Sequence, residues 1–213
     1  MIQKQIFLDG EGDQYYERNK KTKRENYMRN EDLANMIISL PFPKDKHVKV
    51  VEIGCGTGER LKRIRSATNW KVAGIDPSRK SIEELEKNKV QGYVGTAERL
   101  PFQDQSIDIL VYGFCLYLCD RQDMFSIAAE ANRVIKAEGW IAIIDFWTKE
   151  NKENRYRHHN DVISYKTRSE EMFVWHPHYV VMDHKVRYIG TDKYTDETEN
   201  WVSSTIIRKC ANQ

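Results

Sequence analysis

The stretch VVEIGCGTGER, Val50–Arg60, decides how this chain is read. An apolar run ends in three glycines at alternate positions, Gly54, Gly56 and Gly58, and Glu52 stands two residues ahead of the first. A strand that runs into glycines before a helix forms a ligand-binding turn. Glycine adopts backbone dihedrals closed to other residues and lets a ligand approach the main chain. The dinucleotide form of such a turn is spaced G-x-G-x-x-G, whereas here the third glycine comes one residue early. Glu52 would repel a bound pyrophosphate. It suits a ligand that carries a cation or needs a hydrogen-bond acceptor.

Working outward, the chain alternates between two periods. HVKVVEI reads as a buried strand and ERLKRIRS as a helix; KVAGID is a second strand, followed by a helix at SRKSIEELEKN with Ile82, Leu85 and the stem of Lys89 on one face. VQGYVGT is a weak third strand, SIDILVYGF a strong fourth, SIAAEANRVIK a helix, and GWIAIIDFW the fifth strand. Strand–helix alternation over this length predicts parallel strands joined by right-handed crossovers. NKENRYRHHN reads as a polar loop, and YVVMDHKVRYI and WVSSTIIRKC as a closing antiparallel hairpin. Ahead of the first strand, NEDLANMIISL reads as a capped amphipathic helix stopped by Pro41 and Pro43. The expected fold is α/β, a Rossmann-like three-layer sandwich around a mostly parallel seven-stranded sheet. The expected organisation is a single domain with an N-terminal helical lid over 1–45, a cofactor-binding core over 46–148, and a substrate-side loop and terminal hairpin over 149–213.

Asp76 closes the second strand, 22 residues beyond Gly54. A carboxylate there accepts both hydroxyls of a ribose. The ligand implied has a ribose and a cation but no pyrophosphate. EIGCGTG, then GIDPS, then GTAERLPFQDQSIDILVYG resembles the S-adenosylmethionine-binding core of class I methyltransferases, in the branch typified by ubiquinone-biosynthesis and other small-molecule enzymes. The resemblance spans about Lys49 to Phe146. It implies that Gly54, Cys55 and Gly56 line the methionine and ribose of the cofactor, with Gly58 completing the turn. Glu52 organises that turn and reaches the cofactor amine through water. Asp76 binds the ribose, Pro77 and Ser78 flank it, and Thr96, Ala97 and Glu98 lie beside the adenine. Gly113 and Phe114 close over the sulfonium. The chain departs from the family at Thr96, where Asp or Asn is common; at Tyr117, where many relatives carry His; and at KAEGW, which replaces a Lys-Pro-Gly-Gly turn.

The implied activity is methyl transfer to O or N of a small molecule. The cofactor carries the reactive group, and the protein supplies alignment and any proton acceptor. Tyr117, His158 and Tyr16 are the substrate-side candidates. Tyr117 follows the fourth strand, His158 sits in NRYRHHN, and Tyr16 lies in GEGDQYYERNK beside Tyr15, Arg18 and Asn19. The latter stretch resembles the opening of methyltransferases acting on sugars or other surface-polysaccharide precursors. Met172, Phe173, Trp175 and Tyr179 form an aromatic-rich cluster that is either a pocket wall or core. Two alternatives are a nicotinamide-dependent oxidoreductase, against which Glu52 and the glycine spacing count, and a non-catalytic cofactor-binding module.

Composition agrees with a small-molecule partner. The 213 residues are 40% apolar and 31% charged, with a formal net charge of +2, which gives no global reason to expect nucleic acid or membrane. The charge run RNKKTKREN reads as a solvated helix face or a basic patch near an anionic substrate group. No secretory signal or membrane-length apolar run is read. Cys55, Cys115, Cys119 and Cys210 match no disulfide or zinc spacing and are expected to be reduced thiols of a cytoplasmic protein that binds no metal.

Overall fold

The computed structural model describes residues 2–20, 32–43, 47–191 and 193–211. The charge run from Lys21 to Asn26 and the expected cap at Asn30 lie outside these residues. Strands β1 (Lys49–Ile53), β2 (Lys71–Asp76), β3 (Gln91–Val94), β4 (Ile107–Gly113), β5 (Ile135–Phe146), β8 (Tyr179–Tyr188) and β9 (Trp201–Lys209) form one sheet in the order β3-β2-β1-β4-β5-β9-β8. Neighbours pair in parallel from β3 to β5, and β9 pairs antiparallel with both β5 and β8. The expected seven-stranded, mostly parallel sheet is therefore present. Its terminal hairpin has a particular arrangement: β9 inserts beside β5, and β8 takes the edge.

The parallel strands read as continuous apolar runs because both their faces are covered. Alternate side chains go to opposite faces. Val51, Ile53, Leu110, Tyr112, Ile141 and Ile143 join one core, and Val50, Ile109, Val111, Ala142 and Ile144 join the other. The first face is covered by α6 (Met124–Val134), which buries Ile127, Ala131 and Val134 at helical spacing, and by α7 (Glu171–Val174). The second face is covered by α3 (Asp32–Ile38) with Leu33, Met36 and Ile37, by α4 (Glu59–Thr68) with Leu61 and Ile64, and by α5 (Arg79–Lys87) with Ile82 and Leu85.

The periodic reading missed some boundaries. Lys89 lies past the end of α5 in a left-handed conformation (φ 57°) and is not part of its apolar face. At KAEGW the chain leaves α6 directly into β5, which starts four residues before the expected Gly139; the register against β4 is irregular there, and Glu138 has φ 60°. NKENRYRHHN is not a plain loop. It contains β6 (Lys152–Arg155), which pairs antiparallel with β7 (Ile163–Lys166) in a separate two-stranded sheet. Phe173 and Tyr179 of the aromatic-rich cluster belong to the core, whereas Trp175 is 69% exposed.

The N-terminal segment folds back over the strand tips. Helix α1 (Gln3–Ile6) and helix α2 (Gly12–Asn19) are joined through a kink at Gly10, where φ is 151°. Gly12 permits close approach, since a Cβ there would stand 3.0 Å from Ser78 N and 3.2 Å from the Pro77 carbonyl carbon. Asp13 then accepts hydrogen bonds from Ser78 Oγ at 2.7 Å and Lys80 N–H at 3.0 Å, so it acts as an N-cap on α5 from a distant part of the chain. Ile6 and Phe7 pack with Tyr156 and Val162, joining the lid to the β6–β7 hairpin. Replacing Asp13→Ala is expected to cost about 1 kcal/mol of stability, the usual size of a lost cap, in urea denaturation with an unchanged m-value.

Candidate functional site

A cavity of about 240 Å³ opens at the carboxyl ends of β1, β2 and β4, beneath the N-terminal lid. Segments far apart in sequence line it, among them Glu52 to Thr57, Asp76 with Pro77, Gly95 to Glu98, Gly113 to Cys115 and Leu118 to Asp120. The lid contributes Lys4, Phe7, Gly12 and Tyr15.

The glycine turn is shaped by contacts that exclude side chains. Gly54 has φ 71°, and a Cβ on it would lie 2.7 Å from Cys115 Cβ and 2.8 Å from Gly113 O. The N–H groups of Gly54 and Cys55 donate to Ile75 O at 2.9 and 3.2 Å, tying the tip of β1 to β2. The Asp76 carboxylate accepts from Gly56 N–H at 2.9 Å through one oxygen and from Ser78 N–H at 2.9 Å through the other. These two donors fix its orientation at the cavity wall.

Gly58 and Ser78, expected at the cofactor, do not line the cavity. Gly58 (φ 76°) lets α4 start against α5, because a Cβ there would run into the Leu85 side chain. Ser78 is 1% exposed and caps α5, its Oγ accepting from Ser81 N–H at 3.0 Å. Thr96 lines the cavity and donates to Glu98 Oε1 at 2.8 Å.

Arg60 was not singled out from the sequence. It is 5% exposed, lines the cavity, and is paired with Glu52, itself 2% exposed. A Cβ on Gly113 would collide with both side chains, so this glycine keeps the pair at the cavity floor. A buried cation beside a buried anion offers complementary groups for a zwitterion. In sequence Arg60 sits within a run of charged helix residues, and only its inward direction distinguishes it.

Of the substrate-side candidates, Tyr117, His158 and Tyr16 do not line the cavity; Tyr15 does. Tyr117 is hydrogen-bonded to Tyr15, and its ring meets Phe146 edge-on with centroids 5.0 Å apart. Burial holds the Tyr117 phenol well above its ordinary value, so it keeps its proton at neutral pH. Tyr16 instead has Lys20 over its ring, 6.0 Å from the centroid. His158 is exposed, accepts from Arg157 Nε at 3.0 Å and sits against the Tyr156 ring. Partial burial and the nearby Arg18 and Arg157 lower its pKa. The two stretches GEGDQYYERNK and NRYRHHN do meet: Glu11, 2% exposed, pairs with Arg18, and Arg18 Nη2 donates to Tyr156 Oη at 3.2 Å.

The thiols around the cavity are electrostatically quiet. Burial pushes Cys55 and Cys115 well above the ordinary thiol value and Cys119 up to about 12, so each is a neutral thiol at pH 7. Among the described residues no group of three or more His, Cys, Asp or Glu side chains could hold a metal ion, and no helix is long and apolar enough to cross a membrane.

Comparison with known proteins agrees with this geometry. Residues 51–143 match the family model described as a methyltransferase domain. A demethylmenaquinone methyltransferase of Thermotoga maritima is 32% identical over 100 residues, covering 46% of this chain and 43% of that protein. One from Staphylococcus haemolyticus is 33% identical over 113 residues, covering 48% of this chain and 46% of that protein. The matches thus span less than half the length of these relatives. The Burkholderia thailandensis 1,6-didemethyltoxoflavin-N1-methyltransferase, solved with 1,6-didemethyltoxoflavin and S-adenosylhomocysteine, superposes with a TM-score of 0.74 at 13% identity, over 97% of this chain and 88% of that one. A putative methyltransferase of Haloferax volcanii, in complex with the Trm112 activator, has a TM-score of 0.70 at 16% identity, over 94% and 96% of the two chains. At such identities the structural likeness speaks for the fold. Across β1 to β5 the chain is thus similar in sequence to methyltransferase domains, and it shares the fold of S-adenosylmethionine-dependent methyltransferases.

Proposed function

We propose that the chain holds S-adenosylmethionine in the cavity at the strand tips and transfers its methyl group to an oxygen or nitrogen of a small molecule. The observation that carries this reading is convergence. Residues far apart in sequence, Glu52, Asp76, Ala97 and Gly113 among them, line a single cavity in which glycine leaves the backbone bare. In this reading Asp76 accepts the ribose hydroxyls. The main chain of Gly54, Cys55 and Gly56 runs along the ribose and methionine. Pro77, Thr96, Ala97 and Glu98 border the adenine, and Gly113 and Phe114 border the sulfur. Glu52 faces the amine of the amino-acid tail and Arg60 its carboxylate. Gly58 and Ser78 act from behind, by shaping the turn and by orienting Asp76.

When bound, this cofactor supplies an electrophilic methyl group. The protein's part is to align an acceptor and exclude water, which is worth about 7–11 kcal/mol in well-oriented systems. Tyr117, with its proton retained, is hydrogen-bonded to Tyr15 from behind, and Tyr15, which lines the cavity, is the phenol placed to orient an acceptor. Tyr15 thereby takes the place at the cavity that Tyr16 was expected to fill. An amine arriving neutral, or an acidic hydroxyl, needs no strong base. His158, at the outer hairpin, is the one candidate whose lowered pKa leaves it unprotonated at neutral pH.

Phe7, Tyr15 and Phe114 give the cavity aromatic walls. Such walls suit a flat ring, and two of the similar proteins are named for demethylmenaquinone and 1,6-didemethyltoxoflavin. The narrower reading, a sugar or phosphorylated metabolite of surface-polysaccharide biosynthesis, draws its support from the Gly10–Asn19 stretch alone. Docking of the lid already gives Gly10, Gly12 and Asp13 a role. The lid over 1–45, the core over 46–148 and the substrate-side segment over 149–213 act as one domain in this proposal.

Calorimetric titration tests the reading. S-adenosylhomocysteine is expected to bind and NADH not to; the reverse result selects the oxidoreductase alternative. Asp76→Ala is expected to weaken S-adenosylhomocysteine binding by about tenfold or more, since it removes charge-assisted hydrogen bonds to the ribose. Arg60→Met is expected to weaken S-adenosylhomocysteine by about tenfold while 5′-methylthioadenosine, which lacks the amino-acid tail, changes by about twofold or less. Equal losses for the two ligands would remove Arg60 from tail recognition.

A further inference from the structure

The turn that follows β4 is gripped from three sides. Asp145, near the end of β5, is 1% exposed and accepts Tyr117 N–H at 3.2 Å and Phe146 N–H at 2.8 Å; the Leu116 N–H also bonds to its carboxylate. On the opposite side of the same turn, Arg121 Nη2 donates to Leu116 O at 2.8 Å and Cys119 O at 3.2 Å, with its guanidinium stacked 4.3 Å from the Tyr165 ring centroid. From the lid, Gln3 Nε2 donates to Leu118 O at 2.9 Å, and the Gln3 and Lys4 N–H groups donate to Asp120. Anion on N–H groups and cation on carbonyls fix the direction of the peptide dipoles. Cys115, Leu118, Cys119 and Asp120 of this turn line the cavity, and Asp145 does not.

Asp145 has no part in the chemistry proposed above, yet a buried carboxylate is costly unless its hydrogen bonds repay the loss of water. Resting on the cofactor reading given above, we propose that Asp145 is a positioning residue of the adenosyl site: its ionised carboxylate holds the N–H groups of Leu116 and Tyr117 and so keeps Leu118 and Cys119 against the cavity. Neutralising it releases that grip and weakens the bound adenosyl ligand.

Asp145 is poised to titrate in the working range. Burial pushes its carboxyl up to about 7, against the pull of the Phe146, Tyr117 and Leu116 N–H groups and of Arg121. The groups that act on it are Arg121, which stays charged, and Cys115, Cys119 and Tyr117, which stay neutral because their own values are raised. Across from it on β9 stands Ser203, which carries no charge. Tyr15 of the lid is hydrogen-bonded to Tyr117. The signs of two effects separate. The native carboxyl keeps its proton up to about pH 7, while the unfolded one releases it near 3.8, so this group's contribution to stability declines as pH rises between these values. The grip on the turn strengthens over the upper part of the same window, as the carboxylate ionises. A purely structural role moves only the first.

The test combines amide hydrogen exchange on the ligand-free protein with calorimetric titration of S-adenosylhomocysteine. In the wild type, lowering the pH from about 8 to about 6 is expected to weaken binding by about tenfold, the limit for one proton over one unit below the pKa, and to lower exchange protection over Leu116–Cys119 in step. Asp145→Asn, nearly isosteric, is expected to bind about tenfold more weakly at pH 8, to lack the pH slope, and to show low protection throughout. The wild-type pH series stands even where this variant folds poorly. Wild-type protection that is constant across the range, or a variant that keeps the wild-type slope, overturns the role of Asp145 while leaving cofactor binding intact. An exchange response with no S-adenosylhomocysteine binding at any pH overturns the cofactor reading and the role assigned to Asp145 with it.

Discussion

Asp76 accepts one hydrogen bond from the glycine turn after β1 and another from the start of α5 after β2, and the arrangement of the strand tips depends on that bridge. Two backbone N–H groups on a single carboxylate set the distance between the first two turns of the fold. Without the carboxylate, both N–H groups would have to find water or another acceptor, and the wall of the cavity would lose its definition. The glycines on the other side of the bridge matter because they have no Cβ. The backbone of β1 can then come within touching distance of the turn after β4, where Cys115 and Gly113 stand.

The lid depends on the same bridge. Ser78, whose N–H serves Asp76, gives its hydroxyl to Asp13 of α2, so the residue that orients the carboxylate also anchors the segment above the cavity. The far end of the lid is tied to the β6–β7 hairpin by Glu11, Arg18 and Tyr156, and to the turn after β4 by Gln3. The roof is therefore built from residues of three distant parts of the chain. The bonds of Asp13 to the Ser78 hydroxyl, of Arg18 to Tyr156 and of Gln3 to Leu118 are partly shielded from water, where hydrogen bonds to charged groups are worth more than at an exposed surface.

Much of the sheet was legible because its strands are buried on both faces. IDILVYG is fully buried in β4, and a run of that length bounded by turn residues has few other readings. The cavity-lining glycines, Asp76, Pro77, Thr96, Ala97 and Glu98 were legible because the chemistry at a strand tip is local: a few residues on either side of a turn determine it. The β6–β7 hairpin was not legible. KENR is short, charged and mostly exposed, so it has no hydrophobic period to betray a strand. The irregular entry to β5 also escaped, because Glu138 adopts φ 60° only where the register against β4 demands it.

The sequence by itself determined the alternation of strands and helices and the turns that end β1, β2 and β4, because those follow from burial periodicity and from where glycine and acid stand relative to an apolar run. Tertiary structure alone decided which charged and aromatic side chains turn inward. Arg60 and Arg63 sit on the same helix, and only the first reaches Glu52; Tyr15 and Tyr16 are adjacent, and only the first borders the cavity; Asp145 looks like any acid at a strand end until the turn after β4 closes over it. The physical reason is that a side chain's direction on a helix or turn is set by what the element packs against, and packing is a property of the whole chain.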